Sequence, residues 1–199
     1  MSVFFNVRKK EMLKSIWFFL GLYQTKRIRI LHALILTFVL TQIIISNWMA
    51  GTKLEQIPAL DSTYFFTWMH ITLGLTLFFL TFMLIITCFT QRGIKHFYPY
   101  LWGDFKQIKS DLKQLFSFQL PDSSPYGLAA SVQGLGLGAL SIVILSGIAW
   151  FTLWVQHSPL ALEARSLHKS LTIFIEIYIY GHGGLAVLHF IIWYKNRKA

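Results

Sequence analysis

Cysteine is almost absent from this 199-residue chain: the single one, Cys88, lies inside an apolar run. One cysteine excludes an internal disulfide and a zinc site built on cysteine pairs. Acidic residues are also scarce, 8 against 18 lysines and arginines, and charged residues make up only 13% of the chain. What replaces them is apolar. Hydrophobic residues reach 55% and mean hydropathy is +0.54, which excludes an ordinary soluble domain and points to an integral membrane protein. The net charge of +10 does not indicate nucleic acid, because the basic residues sit beside apolar runs, as they do in membrane proteins. The expected surroundings are therefore a lipid bilayer, with no nucleic-acid partner. No internal repeat is apparent.

Four apolar runs are long enough to cross a bilayer: Ile28 to Met49, Thr63 to Phe89, Leu128 to Val155 and Leu167 to Trp193. Each exceeds the minimum length, so tilt is expected. Trp48, Trp68, Trp150, Trp154 and Trp193 fall near span ends, where indole suits the interface. The chain divides into an interfacial N-terminal segment (1–27), a four-helix membrane domain (28–194) and a short tail (195–199). Within the first segment, Ile16 to Leu22 reads as an interfacial helix. A signal peptide is the competing reading, but no clear small-residue cleavage site follows.

Charge fixes the expected orientation. Arg8, Lys9, Lys10, Lys14, Lys26, Arg27 and Arg29 precede or open the first span; Arg92, Lys95, Lys106, Lys109 and Lys113 lie between spans two and three; Lys195, Arg197 and Lys198 close the chain. The opposite side has only Lys53, Arg165 and Lys169. The positive-inside rule places both termini in the cytoplasm. The second connection, Gln91 to Tyr126, is long for a helical bundle. In its middle, Asp104 to Phe118, Phe105, Ile108, Leu112, Leu115 and Phe116 recur at helical spacing with lysines between them. This predicts an amphipathic helix on the cytoplasmic membrane face, ended by Pro121 and Pro125.

The chemistry is carried by histidine. His168 and His182 are fourteen residues apart, close to four helical turns, so they share nearly one face and lie roughly 21 Å apart along the axis. Given the orientation, His70 and His168 are near the periplasmic side, and His32 and His182 near the cytoplasmic side. Four histidines thus form two pairs at two depths. Haem iron takes axial imidazoles from opposite sides of the ring, so the pairs His32/His182 and His70/His168 suit two stacked haems. The chain lacks a Cys-x-x-Cys-His sequence, so the haems would be held without thioether links. Histidines could instead act as glue between helices. Matched depth and phase in four of them favour ligation.

His189, seven residues beyond His182, shares its face and competes for the same haem. His182 is preferred because Gly181, Gly183 and Gly184 around it would let a flat macrocycle approach the backbone, although the same glycines could serve close helix packing. His189 is then left as a quinone or propionate contact. His96 and His157 lie in connections and are expected to be solvated. Glu176, midway along the fourth span, is expected to bond a neighbouring helix as a protonated carboxyl, with a proton relay as the alternative. Gly134, Gly136 and Gly138 could admit a haem face or a close helix crossing.

At Arg29-Ile30-Leu31-His32, Trp68-Met69-His70 and the fourteen-residue step from His168 to His182, the chain resembles the bacterial cytochrome b561 and nickel-iron hydrogenase cytochrome b superfamily. The similarity runs from about Arg27 to Tyr194. Ser124-Pro125-Tyr126-Gly127 stands where many relatives have an Asn-Pro-x-Gly turn. The resemblance implies an all-α fold: an integral membrane four-helix bundle binding two b-type haems, with an added cytoplasmic-face amphipathic helix. It also implies multi-pass insertion in the bacterial inner membrane. The repeated histidine beyond the last ligand looks like some relatives and supports His189 as a non-ligand.

The leading expectation is transmembrane electron transfer between the quinone pool, as quinone or quinol, and a periplasmic or membrane redox protein. The quinone would bind near His182, His189 and the start of the third span. A superoxide:quinone oxidoreductase is one alternative. It needs a positive periplasmic entrance, for which Lys53, Arg165 and Lys169 are available. A cytochrome b anchor subunit of a periplasmic dehydrogenase or hydrogenase is the other. A haem-free transporter using the histidines as a proton path fits the matched pairs poorly.

Overall fold

A computed structural model describes residues 2–49 and 62–197. Side chains of residues 2–10, 62 and 63 are not described, and Lys53 and Lys198 lie outside the described residues. The described residues form helices and no strand. In chain order these are α1 (Ser2–Tyr23), α2 (Lys26–Ser46), α3 (Ser62–Arg92), the single turn α4 (Ile94–Phe97), α5 (Lys106–Phe116), α6 (Leu128–Val155), α7 (Ala161–Tyr178) and α8 (Gly184–Asn196). A short 3₁₀ turn, Pro99–Trp102, precedes α5, and a π-helical segment, Ile179–Gly183, joins α7 to α8. Four helical stretches are long and apolar enough to cross a membrane: Lys26–Ser46, Tyr64–Arg92, Leu128–Val155 and Ala161–Asn196.

The four spans are those expected from hydropathy, and α6 has the expected bounds. The fourth helix starts six residues earlier than its apolar run. Pro159 cannot continue a preceding helix, Ser158 Oγ accepts the Leu160 N–H at 3.3 Å, and Glu163 faces the positive end of the new helix. These are capping signals, which hydropathy does not register. The N-terminal segment is helical over 22 residues, well beyond Ile16 to Leu22.

The chain forms two compact units. One comprises Leu31–Gln91 and Leu135–Ile177, and so takes parts of α2, α3, α6 and α7. Its core holds Ile35, Val39, Leu77, Leu84, Leu140, Ile144 and Trp150. Trp150 is only 3% exposed, so its indole packs inside this unit. The reason is phase: Leu140, Ile144, Gly147 and Trp150 recur at helical spacing on one face of α6.

The other unit comprises Met1–Ile30, Arg92–Gly134 and Tyr178–Ala199. In it α1 packs on α8 through Phe19, whose ring lies 5.5 Å from Phe190 and 5.3 Å from Trp193. Arg197 sits over Phe18 at 5.0 Å. Arg29 stacks on Trp17 at 4.1 Å and donates to the Trp17 carbonyl.

The connection before α6 belongs to the same unit. Helix α5 turns Phe116 and Phe118 outward, 81% and 101% exposed, beside Lys109 and Lys113, which suits a helix lying on the bilayer. Its opposite face buries Asp111, 2% exposed. Asp111 Oδ2 accepts the Leu128 N–H at 2.7 Å and Oδ1 accepts from Gln107 Nε2 at 2.8 Å. A helix N-terminus leaves its first amides without intrahelical partners, and here a carboxylate from another helix takes one of them. Gly127 leaves the space this needs, since a Cβ there would collide with Asp111 Oδ2. Gly134 does the same for the preceding segment. A Cβ would stand 2.6 Å from the Phe97 carbonyl oxygen, and Tyr98 donates its hydroxyl to the Gly134 carbonyl at 2.8 Å.

Replacing Asp111 by Ala should leave the Leu128 amide buried without a partner, at a cost of about 1–2 kcal/mol. Hydrogen exchange should accelerate at residues 124–131 while α2 and α3 stay protected. Unchanged exchange there would show that the cap does not hold α5 to α6.

Candidate functional site

His70 on α3 and His168 on α7 face each other inside the first unit. Their ring centroids are 6.3 Å apart and the planes lie at 78°. An imidazole–metal bond is about 2.0 Å, and each ring adds roughly 1 Å from nitrogen to centroid, so two imidazoles on opposite sides of one metal have centroids about 6 Å apart. The observed spacing matches that arrangement. Both rings line one cavity, bounded mainly by apolar side chains of α2, α3, α6 and α7. An apolar pocket with two facing imidazoles has the donor set and the walls that suit a bis-histidine haem.

Each histidine is held differently. His168 Nδ1 lies 2.9 Å from Ser146 Oγ on α6. The Ser146 hydroxyl also donates to the Val143 carbonyl at 2.8 Å. Beside it, Gly147 makes room for the ring: a Cβ would stand 3.0 Å from His168 Cε1. His70 is placed through its backbone. Gln42 on α2 donates from Nε2 to the His70 carbonyl at 2.8 Å, and a Cβ at Gly74 would stand 3.1 Å from that nitrogen. The His70 Nδ1 is buried with no hydrogen-bond partner among the described residues.

Glu176 also lines the cavity. The hydrogen bond it accepts comes from Thr172 Oγ1, one turn earlier on its own helix, at 3.5 Å. The sequence had suggested a bond to a neighbouring helix. Of the basic residues near His168, Lys169 is exposed and Arg165 half-buried.

His32 is half-buried on α2 in the same unit as His70 and His168. His182 and His189 are half-buried in the other unit. His182 lies in the π-helical segment, stacked on Tyr178 with centroids 5.0 Å apart and planes 7° from parallel. The ideal helical phase used to relate His168 to His182 is interrupted there, because a π turn takes an extra residue. Cβ atoms at Gly181, Gly183 or Gly184 would meet nothing within 4 Å. These glycines therefore leave open space along the helix and are not close-packing contacts. Such segments recur at functional sites.

Sequence reasoning missed Ser146 and Gly147, the pair that cradles His168, and Gln42, which fixes His70. Gln42 could have been found as an amide in the middle of an apolar span. His157 is exposed, as expected. His96 is half-buried, with centroids 4.8 Å from Phe97 and 6.0 Å from Tyr126. Tyr126 has φ 62°, an uncommon conformation for an aromatic residue, in the turn before α6.

The family model for prokaryotic cytochrome b561 matches residues 23–196. No curated protein and no solved structure matches.

Burial, and then the Arg92 charge, lowers the His96 pKa below its ordinary 6.5. The fold thus favours the neutral ring. Its packing is fully supported above the ordinary value and weakens as pH falls through the lowered one. Hydrogen exchange across residues 94–102, corrected for intrinsic rates, should increase on acidification. In His96→Gln that dependence should vanish; its persistence would assign the effect to another group.

Proposed function

We propose that this chain, which belongs to the prokaryotic cytochrome b561 family, carries electrons between the membrane quinone pool and a periplasmic or membrane redox partner. Family membership makes it a multi-pass bacterial membrane protein, a b-type cytochrome of transmembrane electron transport. The reading is carried by one observation, the facing His70 and His168 rings, 6.3 Å apart across an apolar cavity. Haem bound there would supply one-electron chemistry that protein side chains lack.

The chain's residues have distinct tasks in this reading. His70 and His168 would hold the periplasmic haem, which would supply one-electron chemistry suited to a carrier. Gln42 pins the helix that bears His70. The apolar walls exclude water and thereby tune the potential. His32 and His182 would hold a second haem on the cytoplasmic side, an assignment that rests on their depth in the sequence. Quinone binds near that haem, with His189 and the start of α6 as the contacts. The basic residues on one side of the spans support inner-membrane insertion with both termini in the cytoplasm.

Pyridine haemochrome analysis against protein mass should give a value near two, all extractable with acid acetone. His70→Ala and His168→Ala should lose the same haem, and His32→Ala and His182→Ala the other. A fully occupied preparation with one haem would overturn the stoichiometry. Loss of the cytoplasmic haem in His189→Ala but not in His182→Ala would exchange the ligand.

Stopped-flow reduction in oriented vesicles tests the quinone side. A quinone analogue should perturb mainly the haem lost in His182→Ala, and a periplasmic reductant should first reach the one lost in His168→Ala. An analogue acting only on the periplasmic haem would move the quinone site there. Quinone reduction driven by superoxide would replace the carrier reading by an oxidoreductase.

A further inference from the structure

We propose that Ser146 is a positioning residue for His168: its oxygen accepts the Nδ1–H, holding the imidazole with Nε2 bare for iron and strengthening it as a donor. This rests on the reading of His168 as a haem ligand. The hydrogen-bond inventory gives the direction. A serine hydroxyl has one hydrogen, and that of Ser146 is directed to the Val143 carbonyl at 2.8 Å. With that hydrogen on Val143, the contact of 2.9 Å to His168 Nδ1 is made by the oxygen lone pair and the ring supplies the proton; the Val143 carbonyl, an acceptor only, also bonds the ring and calls for an N–H there. A neutral imidazole has a single N–H. With that proton on Nδ1, the lone pair is on Nε2.

Other hydroxyls in the spans behave differently. Ser141 donates to Leu137, Thr152 to Ile148 and Thr76 to Thr72, each closing a bond one turn back on its own helix. Ser146 makes an intrahelical bond and also reaches a side chain on another helix. The bond to Val143 polarises the hydroxyl oxygen and makes it a better acceptor. Gly147 completes the cradle, since a Cβ would stand 3.0 Å from His168 Cε1 and push on the ring edge. The His70 Nδ1 has no hydrogen-bond partner among the described residues. The two histidines that would hold the haem are thus unequal at Nδ1, and the donor strength of His168 would be set from α6. Partners of this kind fix the tautomer and raise ligand basicity. A more basic ligand favours the ferric form and lowers the potential.

The test compares Ser146→Ala and Ser146→Thr in the full-length, haem-loaded protein. In Ser146→Ala the midpoint potential of the haem held by His70 and His168 should rise, its low-spin EPR signal should change, and the other haem should be unmoved. Transfer of that haem to apomyoglobin should become about tenfold faster or more. Ser146→Thr keeps the hydroxyl and should return all three readings toward the parent values. A fully loaded Ser146→Ala protein with unchanged potential and EPR would overturn the inference, as would Ser146→Thr shifting as far as Ser146→Ala. His168→Ala that retains both haems would instead overturn the ligand reading beneath it.

Discussion

Hydrocarbon offers no hydrogen bonds, so a polar group placed in it is costly unless it finds a partner within the protein. Much of the structure follows from that constraint. The backbone meets it by forming helices, which close their own ladders. The hydroxyls follow suit: Thr37 donates to Ala33, Thr41 to Thr37, Thr87 to Met83 and Thr90 to Ile86. Such side chains cost little and carry little information. Gln42, His70, Ser146, His168 and Glu176 stand out because they reach another helix or line the cavity, and all five belong to one unit.

Outside the spans the same constraint takes another form. Helix α6 starts with amides that its own ladder cannot use, and Asp111 comes from α5 to meet one of them. The connection between spans two and three is consequently a fitted part of the fold. Its buried carboxylate, Asp111, points inward while Phe105, Phe116 and Phe118 are exposed. An amphipathic helix of this kind works in two directions, and the lysines between the aromatic residues complete the match to the bilayer surface.

The spans and the His70/His168 pair were legible in the sequence because hydropathy, charge asymmetry and helical spacing report on the same physical constraint. The bounds of α6 needed nothing more. The fourth helix was placed too late because its start is set by Ser158, Pro159 and Glu163, and not by apolarity. The burial of Trp150 was not legible from its place near a span end; its phase on α6 turns it inward. Ser146 was not legible at all: within an apolar span a serine looks like Ser141, and only the neighbouring helix distinguishes them. The glycines around His182 were noted for the room they leave, but glycine content does not reveal a π turn.

The packing of α1 against α8 has a consequence for how the chain is made. Phe18 and Phe19 emerge from the ribosome long before Phe190, Trp193 and Arg197, the groups they pack against. Chains are synthesised from the N-terminus at about 5–20 residues per second, so the first helix waits on the order of ten seconds for its partner. During that interval its aromatic face has the bilayer surface as company. The arrival of α8 then supplies the partners for this face, so that these contacts close only after α8 has been made.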